Sequence, residues 1–168
     1  MASGKVVGII HQVMYPGTSF ATPDIRAGGS TPAEGLLVHD FDAAADEFVD
    51  LLCSLNSYDG GGLTITNIWG ASSATSGDVV WQAAIRRIQD DLEDIDAAHT
   101  YDFNTVTATA PSLSGEVSYD NITFTSGADM DSLANGELFI LRVGRDADNA
   151  SDTMAGDAEL VGVVIKET

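Results

Sequence analysis

The chain has one cysteine, Cys53, and can therefore form no internal disulfide. Cys53 lies in an apolar run, which predicts a small buried hydrophobe with no cation beside it to activate the thiol. Basic residues are scarce as well. Seven Lys and Arg stand against 26 Asp and Glu, for a net charge of −19. Neutralising phosphates takes clustered cations, and these seven are scattered. That excludes nucleic acid as a partner and disfavours an anionic membrane surface. No apolar run approaches the ~20 residues of a membrane span. The opening run Val6, Val7, Ile9 and Ile10 is broken by Gly8 and followed by His11 and Gln12. It is too short for a signal peptide, which predicts synthesis in a cytoplasm without export by that route.

Catalytic signatures are missing too. No G-x-S-x-G elbow accompanies His11, His39 or His99, so each histidine reads as an ordinary strand or loop residue. Gly60, Gly61 and Gly62 are not followed by Lys-Ser/Thr, and no G-x-G-x-x-G occurs, which excludes both phosphate-loop and dinucleotide fingerprints. Carboxylate pairs for glycoside hydrolysis carry no signal where 26 acids make chance pairs common. Aromatics amount to 7% of the chain, a thin supply for a sugar cleft. Trp69 and Trp81 fall on strand-like runs and read as core. The expectation is a protein that is not an enzyme.

What is present is strand. The 44% apolar content suits one domain with a sizeable core, and its periodicity is mostly two. Runs over 5–14, 36–42, 63–70, 103–110, 116–126, 138–143 and 160–166 read as β, rich in Val, Ile and Thr. Segment 43–55 fits a helix through Phe48, Leu51, Leu52 and Leu55, and a strand through Val49, Leu51, Cys53 and Leu55. Strand is preferred because a short glycine-rich link leads into the clear strand from Leu63, which predicts an antiparallel pair. Segment 84–96 stays open between a strand that continues from Val79 and a short helix through Ile85, Ile88, Leu92 and Ile95. A short helical turn is expected within 126–136. The spacing of turns predicts an all-β, jelly-roll-like β-sandwich of about eight antiparallel strands. Its spine is the last third of the chain, where two strand runs flank the acidic connection 146–157.

Residues 15–35 hold three of the four prolines and no periodicity. This segment reads as an extended N-terminal arm, so the chain divides into residues 1–35, strand and arm, and a sandwich of residues 36–168. Tyr15, Phe20, Pro23, Ile25, Arg26 and Pro32 are its expected docking residues. Asp146, Asp148, Asn149 and Asp152 supply the hard oxygens Ca²⁺ prefers, without the glycine or glutamate of an EF-hand, so Ca²⁺ is the one cofactor the sequence raises. Asp90 to Asp96 reads as a solvated acidic turn. Arg145 is expected to pair with Asp146 or Asp157, and Arg86 and Arg87 are candidates for a contact between subunits.

Two stretches carry a resemblance. They are Arg145 to Gly162 (RDADNASDTMAGDAELVG), preceded by GELFILRV from Gly136, and Tyr58 to Gln82 (YDGGGLTITNIWGASSATSGDVVWQ). Together they resemble small acidic virion proteins of tailed, especially marine, bacteriophages, over roughly residues 36–168. The resemblance implies a non-enzymatic β-sandwich of the virion. The expectation is a capsid decoration (cement) protein on the capsid exterior, bound to the major capsid protein, self-associated as a homotrimer and docked by the arm. The alternative is a tail-fibre or appendage module that binds a host receptor or carbohydrate.

Overall fold

A computed structural model describes residues 4–168. Ten strands form two five-stranded antiparallel sheets. In chain order they are β1 (Gly8–Met14), β2 (Thr22–Gly28), β3 (Glu34–Phe41), β4 (Glu47–Leu55), β5 (Leu63–Gly70), β6 (Asp78–Ile88), β7 (Asn104–Thr109), β8 (Val117–Phe124), β9 (Leu138–Arg145) and β10 (Ala158–Glu167). One sheet has the order β1-β4-β9-β6-β7, the other β2-β3-β10-β5-β8. A single 3₁₀ turn, Ala128–Met130, occupies the loop where a helical turn is expected. The architecture is the predicted jelly-roll-like all-β sandwich.

Alternation builds the core. Val79, Trp81, Ala83 and Ile85 of β6, Phe139, Leu141 and Val143 of β9, and Leu63, Ile65 and Trp69 of β5 all point between the sheets and are buried. Each large apolar side chain withdrawn from water contributes roughly 1.5–3 kcal/mol. Trp81 packs edge-on against Trp69 at 5.6 Å and Phe41 at 5.1 Å. Cys53 is fully buried, and desolvation pushes its thiol up to about 12, as expected of an inert hydrophobe.

The last third is the spine: β9 and β10 are each the central strand of their own sheet. One expected pairing needs correction. β4 is a strand, yet its expected pairing with β5 does not occur, because β4 lies in one sheet and β5 in the other. The link between them is seven residues long and carries buried Tyr58, whose amide donates to Asn135 Oδ1. It closes the end of the sandwich instead of turning a hairpin. Segment 84–96 continues as strand to Ile88 and then becomes a loop.

Segment 15–35 is partly sheet. Thr22–Gly28 pairs along its whole length with Glu34–Phe41, which brings the strands to ten where about eight are expected. Pro23 is tolerated because β2 is an edge strand, where one missing donor faces no neighbour. The turn holds Gly29 at φ 80 and a cis Thr31–Pro32 bond. β3 meets β10 only through His39, Asp40 and Phe41, so the far half of the β2–β3 hairpin projects from the body. Ile25, Leu36 and Leu37 on it are 63%, 50% and 54% exposed.

Candidate binding face

The outward side chains of β6 should meet water, yet Val80, Gln82, Ala84 and Arg86 are all buried. The 146–157 connection bonds to Val80, and the loop 89–103 accounts for the last three by folding back over the outer face of the β1-β4-β9-β6-β7 sheet. Arg86 anchors its start, donating from Nε to Glu93 Oε1 at 2.8 Å and from NH2 to the Asp94 carbonyl at 3.0 Å. At its far end His99, Tyr101 and Phe103 recur at period two, and each is half-buried.

Register then assembles a cluster. Asp50 of β4 stands opposite Arg142 of β9, and the two form a bidentate pair with both N···O distances 2.8 Å. The Arg142 guanidinium lies 4.1 Å from the Tyr101 ring centre and 5.4 Å from that of Phe48. Phe48 lies 5.7 Å from Phe103, Phe103 lies 6.0 Å from Tyr101, and His99 meets Tyr101 edge-on at 5.1 Å. Position 144 must be glycine because a Cβ there would stand 2.5 Å from Phe48 Cδ1. The missing side chain gives the Phe48 ring its seat. Across the sheet from Gly144 come Gln82 and then Thr105, polar groups in the same row. The hydrogen bonds that Arg142 donates to Asp50 hold it above the ordinary guanidinium value, against the opposing effect of burial. Burial raises the Tyr101 hydroxyl, with Arg142 and Arg86 acting the other way.

The cluster offers apolar ring faces beside a neutralised ion pair. It offers no poised proton transfer. His11 Nε2 meets Ser54 Oγ at 2.8 Å further along the face, but both groups are solvent-facing and no carboxylate orients the imidazole among the described residues.

The residues expected to bear function fall elsewhere. Asp152 is bound by Arg145 through two hydrogen bonds of 3.0 and 2.7 Å, which corrects the expected pairing of Arg145 with Asp146 or Asp157. Asp146 accepts from the Asn149 amide at 2.9 Å, and Asp148 is exposed. Among the described residues no group of three or more His, Cys, Asp and Glu is arranged to hold a metal ion. Arg86 and Arg87 have partners within the chain, Glu93 and Glu137. Tyr15 touches His39 Nδ1 at 3.2 Å and packs edge-on against Phe20. Pro23, Ile25 and Arg26 are on β2, where Arg26 pairs with Glu159 at 3.2 Å, and Pro32 is in the hairpin turn. Nearby Asp40 is pushed up to about 6, first by burial and then by Glu159 and Asp24.

The aromatic cluster escaped sequence reasoning, which read its loop as an acidic turn. The one available signal was the alternation His99, Tyr101, Phe103, an amphipathic run just after the acids.

The fold places the chain among two-sheet, jelly-roll-like β-sandwiches. No protein-family model matches it, and no curated protein does. Among solved structures it is similar to the CBM22-1 xylan-binding domain from Paenibacillus barcinonensis Xyn10C, with a TM-score of 0.51 over 99% of this chain and 97% of that one. At 9% sequence identity the likeness is one of fold.

Proposed function

We propose that the chain is a non-catalytic binding module that takes a neutral glycan on the outer face of the β1-β4-β9-β6-β7 sheet. The observation that carries this is the half-buried group Phe48, Tyr101 and Phe103 around the Arg142–Asp50 pair. A sugar ring has an apolar C–H face that rests on an aromatic ring, and hydroxyls that bridge a guanidinium and a carboxylate. The net charge of −19 argues against anionic polysaccharides. The fold likeness to a domain described as xylan-binding is in keeping with this reading. Calorimetric titration with soluble xylan and mixed-linkage glucans tests it. Saturable binding is expected, at least tenfold weaker in Tyr101→Ala and largely kept in Tyr101→Phe, which retains the ring. If the wild-type chain binds no neutral glycan, or Tyr101→Ala binds as wild type does, the reading fails.

A second reading has its own observation. The projecting β2–β3 hairpin, together with the sequence resemblance described above, favours a bacteriophage virion component docked by that hairpin. On this reading the protein decorates the head, bound to the major capsid protein. Quantitative proteomics of particles tests it: hundreds of copies per head are expected, and a handful confined to the tail would end it.

A further inference from the structure

The acidity of the chain is unevenly spread. Residues 1–33 contain Lys5, Arg26 and one acid, Asp24, for a net +1; the remaining residues hold five bases and 25 acids, for −20. Of the fifteen large hydrophobic residues that are exposed among the described residues, nine lie between Val6 and Leu37. This region is therefore where two copies of a strongly acidic chain can approach.

Its strand geometry indicates how. Among the described residues β2 is an edge strand with β3 as its only neighbour, and its outer backbone groups make no hydrogen bond there. Beside the base of the hairpin an apolar cavity of about 220 Å³ opens between the sheets, lined by Ile10, Val13, Leu37, Val49, Leu160 and Val163. Exposed edges and apolar openings of this kind are ordinarily covered or blunted. On β2 the sequence Asp24-Ile25-Arg26 is self-complementary in charge. Laid antiparallel on a second copy and centred on Ile25, it sets Asp24 opposite the second copy's Arg26, and Arg26 opposite its Asp24. A shift of two residues one way opposes Asp24 to Asp24, and the other way Arg26 to Arg26. Like charges directly opposite destabilise a ladder, so the charges select the Ile25-centred register. Pro23, which lacks a donor, then faces Ala27 and keeps the ladder short.

We propose that two copies associate about a two-fold axis through Ile25, with β2 pairing antiparallel to β2 of the second copy and joining two five-stranded sheets into one of ten. The contact is isologous, so it closes at two copies.

Sedimentation velocity over a wide concentration range is expected to give a monomer–dimer equilibrium. Asp24→Lys, an exposed change expected to leave the melting temperature of the dilute monomer unaltered, places an ammonium opposite Arg26 at both ends of the ladder and should weaken dimerisation at least tenfold. Ile25→Cys brings two thiols together on the axis and should give a covalent dimer under mild oxidation. Leu113→Cys is its control, since Leu113 is 62% exposed and outside the region. A monomer at every concentration, a trimer, unchanged dimerisation in Asp24→Lys, or no more cross-linking in Ile25→Cys than in the control would each overturn the proposal.

Discussion

Arg145→Met is expected to cost about 3–5 kcal/mol of stability, because it leaves a buried carboxylate without its partner. Arg145 is fully buried, and the Asp152 side chain is 2% exposed. The guanidinium donates to both Asp152 oxygens, to the Met154 carbonyl at 2.7 Å and to the Gly156 carbonyl at 2.8 Å. Asp152 also accepts from the Val80 amide at 3.0 Å, which ties the 146–157 connection to β6. The acidic loop is thus folded around a cation supplied by the strand before it. Arg145→Lys is expected to recover little, since one ammonium cannot reach a bidentate carboxylate and two separate carbonyls in the planar geometry Arg provides. Replacing both members, Arg145→Met with Asp152→Leu, should be less harmful than Arg145→Met alone, because no charge is then stranded. Urea unfolding of the three variants measures this. A cost under about 1 kcal/mol for Arg145→Met would mean that the loop is held by something other than this pair.

That loop also marks how far the sequence is legible. Strand positions follow from local alternation, and the inward faces of β4, β6 and β9 are those that period two in their sequences predicts. The burial of Trp69 and Trp81 was legible for the same reason. Which sheet a strand joins is a different kind of information. β4 and β5 are neighbours in sequence, and each needs one apolar face against the core. A hairpin and a crossover between sheets satisfy that need equally, so the pattern does not distinguish them. The hairpin at 22–41 was hidden because Pro23, Gly28, Gly29 and Pro32 resemble loop composition, and an edge strand can carry what a central one cannot. The candidate face was hidden by distance along the chain. Phe48, Tyr101 and Arg142 are brought together only when β4, β9 and the 89–103 loop are stacked, and each alone reads as an ordinary half-buried residue. Asp152 and Arg145 are seven residues apart, close enough to suggest a pair. What selects Asp152 is the path of the connection, which turns back so that Asp152 meets both Arg145 and the Val80 amide while Asp146 accepts from Asn149, and charge alone does not report that path.

The two tryptophans offer the sharpest separation of packing from hydrogen bonding. Both are fully buried, and they touch edge-on at 5.6 Å. Truncating either removes a comparable volume from one core, and Trp81→Ala is expected to cost about 3–5 kcal/mol. The conservative change to Phe should treat them differently. Trp69 Nε1 donates to Asp120 Oδ2 at 2.8 Å, an oxygen that also accepts from Ser118 at 2.7 Å. Trp81 Nε1 has no hydrogen-bond partner among the described residues. Trp69→Phe therefore loses a charge-assisted bond and under-supplies a half-buried carboxylate, whereas Trp81→Phe removes an N–H that was desolvated without return. The expected result is that Trp69→Phe destabilises by about 1.5 kcal/mol more than Trp81→Phe, read as a difference in urea midpoints at equal slope. Equal costs, or a greater cost for Trp81→Phe, would mean that ring packing alone sets the stability of this core. The Asp120 bond would then serve orientation: it would fix the ring of β5 against β8, where Ser118 and Trp69 stand directly opposite in the ladder.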